Sequence, residues 1–464
     1  MSCRHIASRI TQVFVANFRH APAPQRLEIF RGAVAVADNG RIVRVVRADL
    51  NAFLKQLSPQ VQIHDYRKEP QAFDPGRVDV HLHGPQFRNR YRFGRQADEE
   101  LELLPWLKQL TFPEELRFAS VRHAQNVYQK LLTELLRHGT THALMYGTIH
   151  GEGTAELFQA VWQAGLHAFI GNVHMEQNAD DACKLELPVE ASLEISAELY
   201  ERYHQKADRR LRLVIIPRFL PCVPPSSLDR LALFADERGL LKTSHISENP
   251  GEVAWVQELY PHQGTYTQIY ADHGFLDART IQAHAIYLDE KELKLIADSG
   301  AKIAHCPGSN TWLNSGVMPL THYLDRGLSV GLGSDISGGS DISMPLVGRQ
   351  AREAAKLYAA LGRQWKRSEQ AESRPLTPAE ALYLQTLGGA TCLGIEAETG
   401  SFEVGKFFNA IRIDFSKGNL QLVSDGDIES NFQRFDLAGD SRNVAAVYVN
   451  GQNVNLDPFG LVGV

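Results

Sequence analysis

Between residues 77 and 335 the chain presents eight short apolar runs, at 77–83, 140–146, 167–173, 211–219, 240–247, 281–287, 301–307 and 329–335. Most neighbouring runs are separated by stretches with apolar residues at helical spacing, the clearest at 118–137, 188–210, 226–239 and 289–300. Strand alternating with helix requires a parallel sheet, and eight such repeats close one into an α/β fold, the (β/α)8 or TIM-like barrel. Barrels of this kind carry their reactive groups at the carboxyl ends of the strands. His81, His83, His245, His284 and Asp335 all fall at that end of a run.

His81 and His83 are two residues apart on a strand, so both side chains leave the same face and can grip one ion. Neutral imidazole suits zinc and several other first-row metals, and an open position beside three or four protein ligands marks a catalytic rather than a structural site. A single histidine among the 18 here is ordinarily structural; the joint pattern is what favours a metal centre. His305 and Cys306 are adjacent, face opposite sides of their strand, and are not read as a further metal pair.

The flanks read differently. Residues 11–46 are strand-rich, with Asp38-Asn39-Gly40 marking a hairpin turn between 32–37 and 41–46. Residues 409–414 and 444–451 have the same character, so both termini are expected to combine in one small β-sandwich domain. The expected division is 1–74 and 401–464 for that domain and 75–400 for the barrel. A chain of 464 residues, 44% hydrophobic, has enough apolar material for one large core and a smaller accessory domain. The polar stretch 364–375 reads as a solvated connection before the helix opened by the capping box Thr377-Pro378-Ala379-Glu380. The acidic run 98–102 reads as an exposed turn without chemistry.

With 54 acidic against 48 basic side chains and a net charge of −6, nothing calls for nucleic acid or an anionic membrane as partner, and a small-molecule substrate is expected. Cys3, Cys183, Cys222, Cys306 and Cys392 are odd in number, scattered and never in a C-x-x-C pair, which argues against a disulfide framework and for a reduced, cytoplasmic setting. No signal-length apolar segment follows the amino terminus, and no run long enough to span a membrane occurs.

The ordered set His-x-His, Ser-His-Ile-Ser-Glu, Ala-His, Ala-His-Cys-Pro-x-Ser-Asn and Gly-x-Gly-Ser-Asp resembles the amidohydrolase superfamily, in its guanine deaminase branch. The likeness covers most of the chain. Its more selective parts are His83-Gly84-Pro85-Gln86-Phe87, Leu104-Pro105-Trp106-Leu107, Thr111-Phe112-Pro113-Glu114, Pro217-Arg218-Phe219 and Thr386-Leu387-Gly388-Gly389-Ala390.

That resemblance implies one zinc per subunit, held by His81, His83, His245 and Asp335, with His284 either a ligand or an orienting group for the water. It implies hydrolytic deamination of guanine to xanthine and ammonia, with Glu248 and Asp335 moving protons, and a homodimer. Glu248, three residues after His245, stands where its strand turns into a loop and suits a proton shuttle. Binuclear relatives place a carboxylated lysine at the end of the fourth strand, but here that strand ends Ile216-Pro217-Arg218-Phe219, and arginine forms no such bridge. Arg218 and Gln86 instead suit the hydrogen-bonding edge of a purine, and Phe219 a flat apolar contact. The substrate-binding set is thus His83, Gln86, Arg218, Phe219, His245, Glu248 and Asp335, with His284 beside Glu248 and Asp335 as catalytic. The alternatives are a backbone-satisfying Gln86, an Arg218 paired with a carboxylate, a core-packing Phe219 and a wall-forming Trp106. Where the branch carries a Met-Asp stretch, this chain reads Val173-His174-Met175-Glu176, and His174 is expected to cap its strand rather than enter the pocket. Asn409 replaces a usual aspartate in the small domain. The rival functions are an aminohydrolase acting on another purine, such as 8-oxoguanine, and a metal-free binding protein on the same barrel.

Overall fold

The computed structural model describes residues 9–96, 100–177, 185–365 and 373–462. Cys3, Cys183, part of the 98–102 run and most of the polar 364–375 connection lie outside them.

Eight parallel strands form the central sheet in chain order: Arg77–His83, Thr140–Tyr146, His167–Gly171, Leu211–Pro217, Leu241–Ile246, Thr280–His284, Lys302–His305 and Val330–Leu332. A two-residue extension, Val173–His174, continues the third strand against the fourth. The last strand closes on the first just beyond the ladder, where the Asp335 amide donates to His81 O at 2.9 Å and the His83 amide to Ile336 O at 3.1 Å. Gly333 permits this approach, because a Cβ there would meet His81 Cβ at 2.7 Å and Cys306 Sγ at 3.0 Å.

Several strands are shorter than their apolar runs, and the backbone gives the reason. Ser247, His284, Ala285 and Asp335 adopt left-handed conformations, with φ of 48°, 72°, 50° and 46°. These residues leave the ladder sharply, a conformation that costs non-glycine residues energy and is concentrated at functional sites.

The expected helices form at Val121–Arg137, Val189–Tyr203, Pro225–Arg238 and Glu290–Ser299. Ser120 caps the first and Asp289 the last of them, and Gly239 and Gly300 end the last two with positive φ. Helices Gly151–Ala164 and Pro250–Leu259 fill two further gaps between strands. Thr377 and Glu380 form the expected capping box before Pro378–Leu384. No helix among the described residues is long and apolar enough to cross a membrane.

Both termini contribute to a second, mixed sheet of eight strands. Ile10–Ala23 pairs with Arg26–Ala37 in antiparallel fashion and with Gln71–Pro75 in parallel; Ala410–Asp414 joins Gln71–Pro75 to Val444–Val449. The hairpin around Gly40 forms as expected. Phe14 and Tyr448 lie three strand spacings apart, about 14 Å in a flat sheet, yet their ring centroids are 5.0 Å apart. The two layers expected of a sandwich are therefore parts of one curled, continuous sheet, closed around Phe14, Phe18, Phe73, Phe402 and Phe408.

Candidate metal centre and its cavity

The strand ends bring the five predicted metal-type residues together. His83 Nε2 and His245 Nε2 are 3.1 Å apart, and Asp335 Oδ1 lies 3.4 Å from His81 Nε2 and 3.5 Å from His83 Nε2. A divalent ion bound tetrahedrally at about 2.0–2.1 Å holds neighbouring ligand atoms about 3.3 Å apart, close to these three separations; His81, His83 and His245 form one group with ligand atoms within 4.8 Å of one another, and His81 also belongs to a second with Asp335 and His284. The buried Nε2 atoms of His81 and His284 make no geometrically sound hydrogen bond, although carboxylate oxygens lie 3.4 Å from each. Burial holds the imidazoles of His81, His83 and His245 below their usual pKa, in the neutral form that ligates metals.

The surroundings orient these groups. His245 Nδ1 donates to Arg218 O at 2.6 Å, and His284 Nδ1 donates to Asn310 Oδ1 at 2.9 Å, so each ring turns Nε2 toward the centre. Asp79, two residues before His81 and buried, accepts from the His81 amide at 3.2 Å and from the Ser334 amide and hydroxyl at 3.0 and 2.5 Å. It ties the first ligand strand to the last. Burial raises Asp79 to about 6.

Two carboxyls flank His284. Asp335 stays at about 2: burial opposes its charge, and His81 and His284 outweigh that. Glu248 is pushed up to about 8 by burial and by the charge of Asp335, with Ser315 Oγ donating to its Oε1 at 3.1 Å. Neutral imidazoles, an ionised carboxylate and a protonated one side by side supply a metal cradle, a proton acceptor and a proton donor.

The adjoining cavity is lined by Gln86, Arg218, Phe219 and Glu248 together with Leu103, Trp106, Leu107 and Leu313. Trp106 forms wall, its indole N–H tied to Arg92 O at 2.9 Å. Phe219 meets Trp255 edge-on at 6.1 Å and also borders the cavity. Arg218 is paired: its Nη1 donates to Glu115 Oε1 and Oε2 at 3.0 and 2.8 Å, and Gln86 Nε2 donates to the same Oε1 at 3.1 Å. His174 turns away, its Nδ1 2.6 Å from Ser192 Oγ on the Val189–Tyr203 helix. Cys306 joins a group with His81, His284 and Asp335, their ligand atoms all within 4.8 Å of one another, whereas His305 does not.

Sequence reasoning passed over Asp79, Glu115, Asn310 and Ser315. Asp79 had a signal, since it alternates with His81 on one strand. Glu115 had none, because it arrives from a short helical segment, Phe112–Glu115, whose contact with Arg218 spans 103 residues.

Fold and site together define a barrel that gathers histidines and carboxylates at its strand ends around a metal-sized cradle. Residues 74–454 match the model of the amidohydrolase family. The chain is 32% identical over 461 residues to a guanine deaminase of Dictyostelium discoideum, covering 97% of this chain and 99% of that one. It is 34% identical to a guanine deaminase of Mus musculus, covering 95% and 96%. A crystal structure of guanine deaminase from C. acetobutylicum with bound guanine in the active site superposes with a TM-score of 0.85 at 31% identity, covering 96% of this chain and all of that one. The chain belongs to the amidohydrolase family.

Proposed function

We propose that this protein is a zinc-dependent aminohydrolase that converts guanine and water to xanthine and ammonia. The observation that carries the reading is one cavity lined by Glu248, Asp335, the histidines His83, His245 and His284 and the polar pair Gln86 and Arg218. The near full-length likeness to guanine deaminases supports the choice of ring.

His81, His83, His245 and Asp335 would hold the zinc; their donor types fit it, as do the 3.1 Å between His83 and His245 and the 3.4 and 3.5 Å from Asp335 to His81 and His83. When bound, zinc supplies Lewis acidity and brings the pKa of its water toward about 7. Asp335, ionised, accepts the proton of the attacking water. Glu248 delivers its proton to the ring nitrogen beside the amino-bearing carbon and takes up the proton of the newly formed hydroxyl as the C–N bond breaks, while the proton held by Asp335 passes to the departing ammonia. His284, 3.4 Å from Glu248 Oε2 and 3.9 Å from Asp335 Oδ2, orients the water between the two carboxyls. Gln86 and Arg218 read the polar edge of the base, and Phe219 packs on its apolar surface. One zinc per subunit, a homodimer and a cytoplasmic setting complete the proposal; light scattering with metal analysis tests the first two.

The deciding assay is ammonia release by the zinc-loaded protein from guanine, adenine, 8-oxoguanine, cytosine and a triazine, with each product identified by its ultraviolet spectrum. Turnover of guanine to xanthine is expected. Turnover of 8-oxoguanine without guanine would transfer the mechanism to another purine, and a protein that neither binds zinc nor turns over any ring would end the enzyme reading.

A further inference from the structure

We propose that Glu115 is a positioning residue that sets the polarity of base recognition. It rests on the guanine reading above and adds what decides which ring edge the pocket accepts.

Gln86 and Arg218, 132 positions apart in sequence, reach the same cavity and end on the same carboxylate. All three side chains are buried, so their polar atoms have no bulk water to turn toward. An unrestrained glutamine amide presents either its donor or its acceptor end to a ligand. Here Glu115 Oε1 takes the Gln86 Nε2 donor at 3.1 Å, which commits the Gln86 carbonyl to act as the acceptor. Both Glu115 oxygens also take Arg218 Nη1, and among the described residues no hydrogen bond occupies Arg218 Nε or Nη2. The pocket therefore offers one fixed acceptor and a fork of fixed donors. That pattern matches a ring edge carrying an N–H beside a carbonyl, as guanine does. It mismatches adenine, whose ring nitrogen accepts and whose amino group donates.

Glu115 also neutralises the buried guanidinium, so the pocket suits a neutral base rather than an anion. Its position extends the effect to the metal side, because Arg218 O accepts from His245 Nδ1 at 2.6 Å. Glu115 comes from the segment Phe112–Glu115, which directly follows the Leu103–Trp106 and Leu107–Thr111 turns that wall the cavity. The wall and the recognition pair are thus anchored at one point.

The test compares the parent protein with Glu115→Gln and Glu115→Asp, each zinc-loaded, using guanine as substrate and adenine as competing ligand. Loss of a charge-assisted acceptor is expected to raise KM for guanine about tenfold to a hundredfold in Glu115→Gln. In that variant kcat changes far less, zinc stoichiometry is unchanged, and the preference for guanine over adenine narrows. Glu115→Asp keeps the pair with Arg218 but falls short of Gln86, so KM rises by less in the same direction; it carries the test if Glu115→Gln does not fold. Combining Glu115→Asp with Gln86→Leu completes a double-mutant cycle, and the two effects on KM are expected to be non-additive. Unchanged KM, including a fall in apparent kcat alone as a smaller folded fraction produces, or additive effects would overturn the inference while guanine turnover by the parent stands. Failure of the parent on guanine would take the underlying reading down with it.

Discussion

Glu248 and Asp335 are buried carboxyls on either side of His284, and their surroundings push them apart, to about 8 and about 2. Asp335 faces His81, His83 and His284, whereas Glu248 faces only His284 among these imidazoles, together with the charge of Asp335 and a serine hydroxyl. Two identical functional groups so separated divide the proposed proton work between them. Glu248→Gln keeps the shape and the metal cradle but not the proton, so kcat is expected to fall by about a hundredfold to ten-thousandfold; steady-state kinetics with zinc analysis checks it. Arg218→Ala leaves Glu115 buried without its partner, which typically costs about 3–5 kcal/mol. KM for guanine is then expected to rise at least about tenfold, with the zinc retained and the melting temperature lowered. At this scale residue identity was legible but pairing was not. Arg218 could be picked out at the fourth strand end, while its attachment to Glu115 depends on a segment carrying no periodic signal.

The elements position these groups through how they end. Left-handed backbone at His284 and Asp335 turns each chain segment off its strand at the point where its side chain enters the site, and at Ser247 it does so one residue before Glu248. The loop bearing Glu248 is fastened by the helix that follows it. Glu252 Oε2 accepts from the amides of Glu248 and Asn249 at 2.7 and 3.2 Å, and Asn249 Oδ1 accepts from the Gly251 amide at 2.8 Å. That capping box belongs to Pro250–Leu259. Asn249→Ala is expected to cost about 1 kcal/mol of stability and to lower kcat more than KM by loosening Glu248, as denaturant titration and kinetics on one preparation would register. Strand and helix centres follow from apolar spacing, so the eight runs located the barrel. Their ends were read too long because left-handed turns at serine, histidine and aspartate leave no trace in hydropathy.

At the scale of the whole molecule, the curled sheet and the barrel are joined by buried charge. Arg19 on the long terminal strand and Arg77 on the first barrel strand both donate to Asp74, at 2.6 Å each, and Arg19 also reaches Asp436. Asp74→Ala would strand the buried guanidinium of Arg77 and leave Arg19 with Asp436 alone, with an expected loss of about 3–5 kcal/mol in thermal or urea unfolding. Acid should act on the same body through its buried histidines. Burial holds His167, bonded to Asn450 beside the terminal sheet, and His174 at about 3, against the usual 6.5 of an imidazole in water. Between those values the unfolded chain binds protons that the folded chain refuses. Stability is therefore full above about pH 6.5 and falls toward pH 3, by about 1.4 kcal/mol per pH unit for each histidine; the urea midpoint followed from pH 7 to 4 tests this, and His174→Gln should flatten the slope. By itself the sequence determined the barrel, the termini as one β unit, and the residues that gather at the strand ends, because periodicity and strand alternation act locally and survive in a one-dimensional pattern. Only the tertiary structure decided that the sandwich is one curled sheet, that His174 turns to a helix, and that Gln86 and Arg218 share Glu115. Those outcomes depend on which distant groups meet in a place without water, where every buried donor and charge must find its partner.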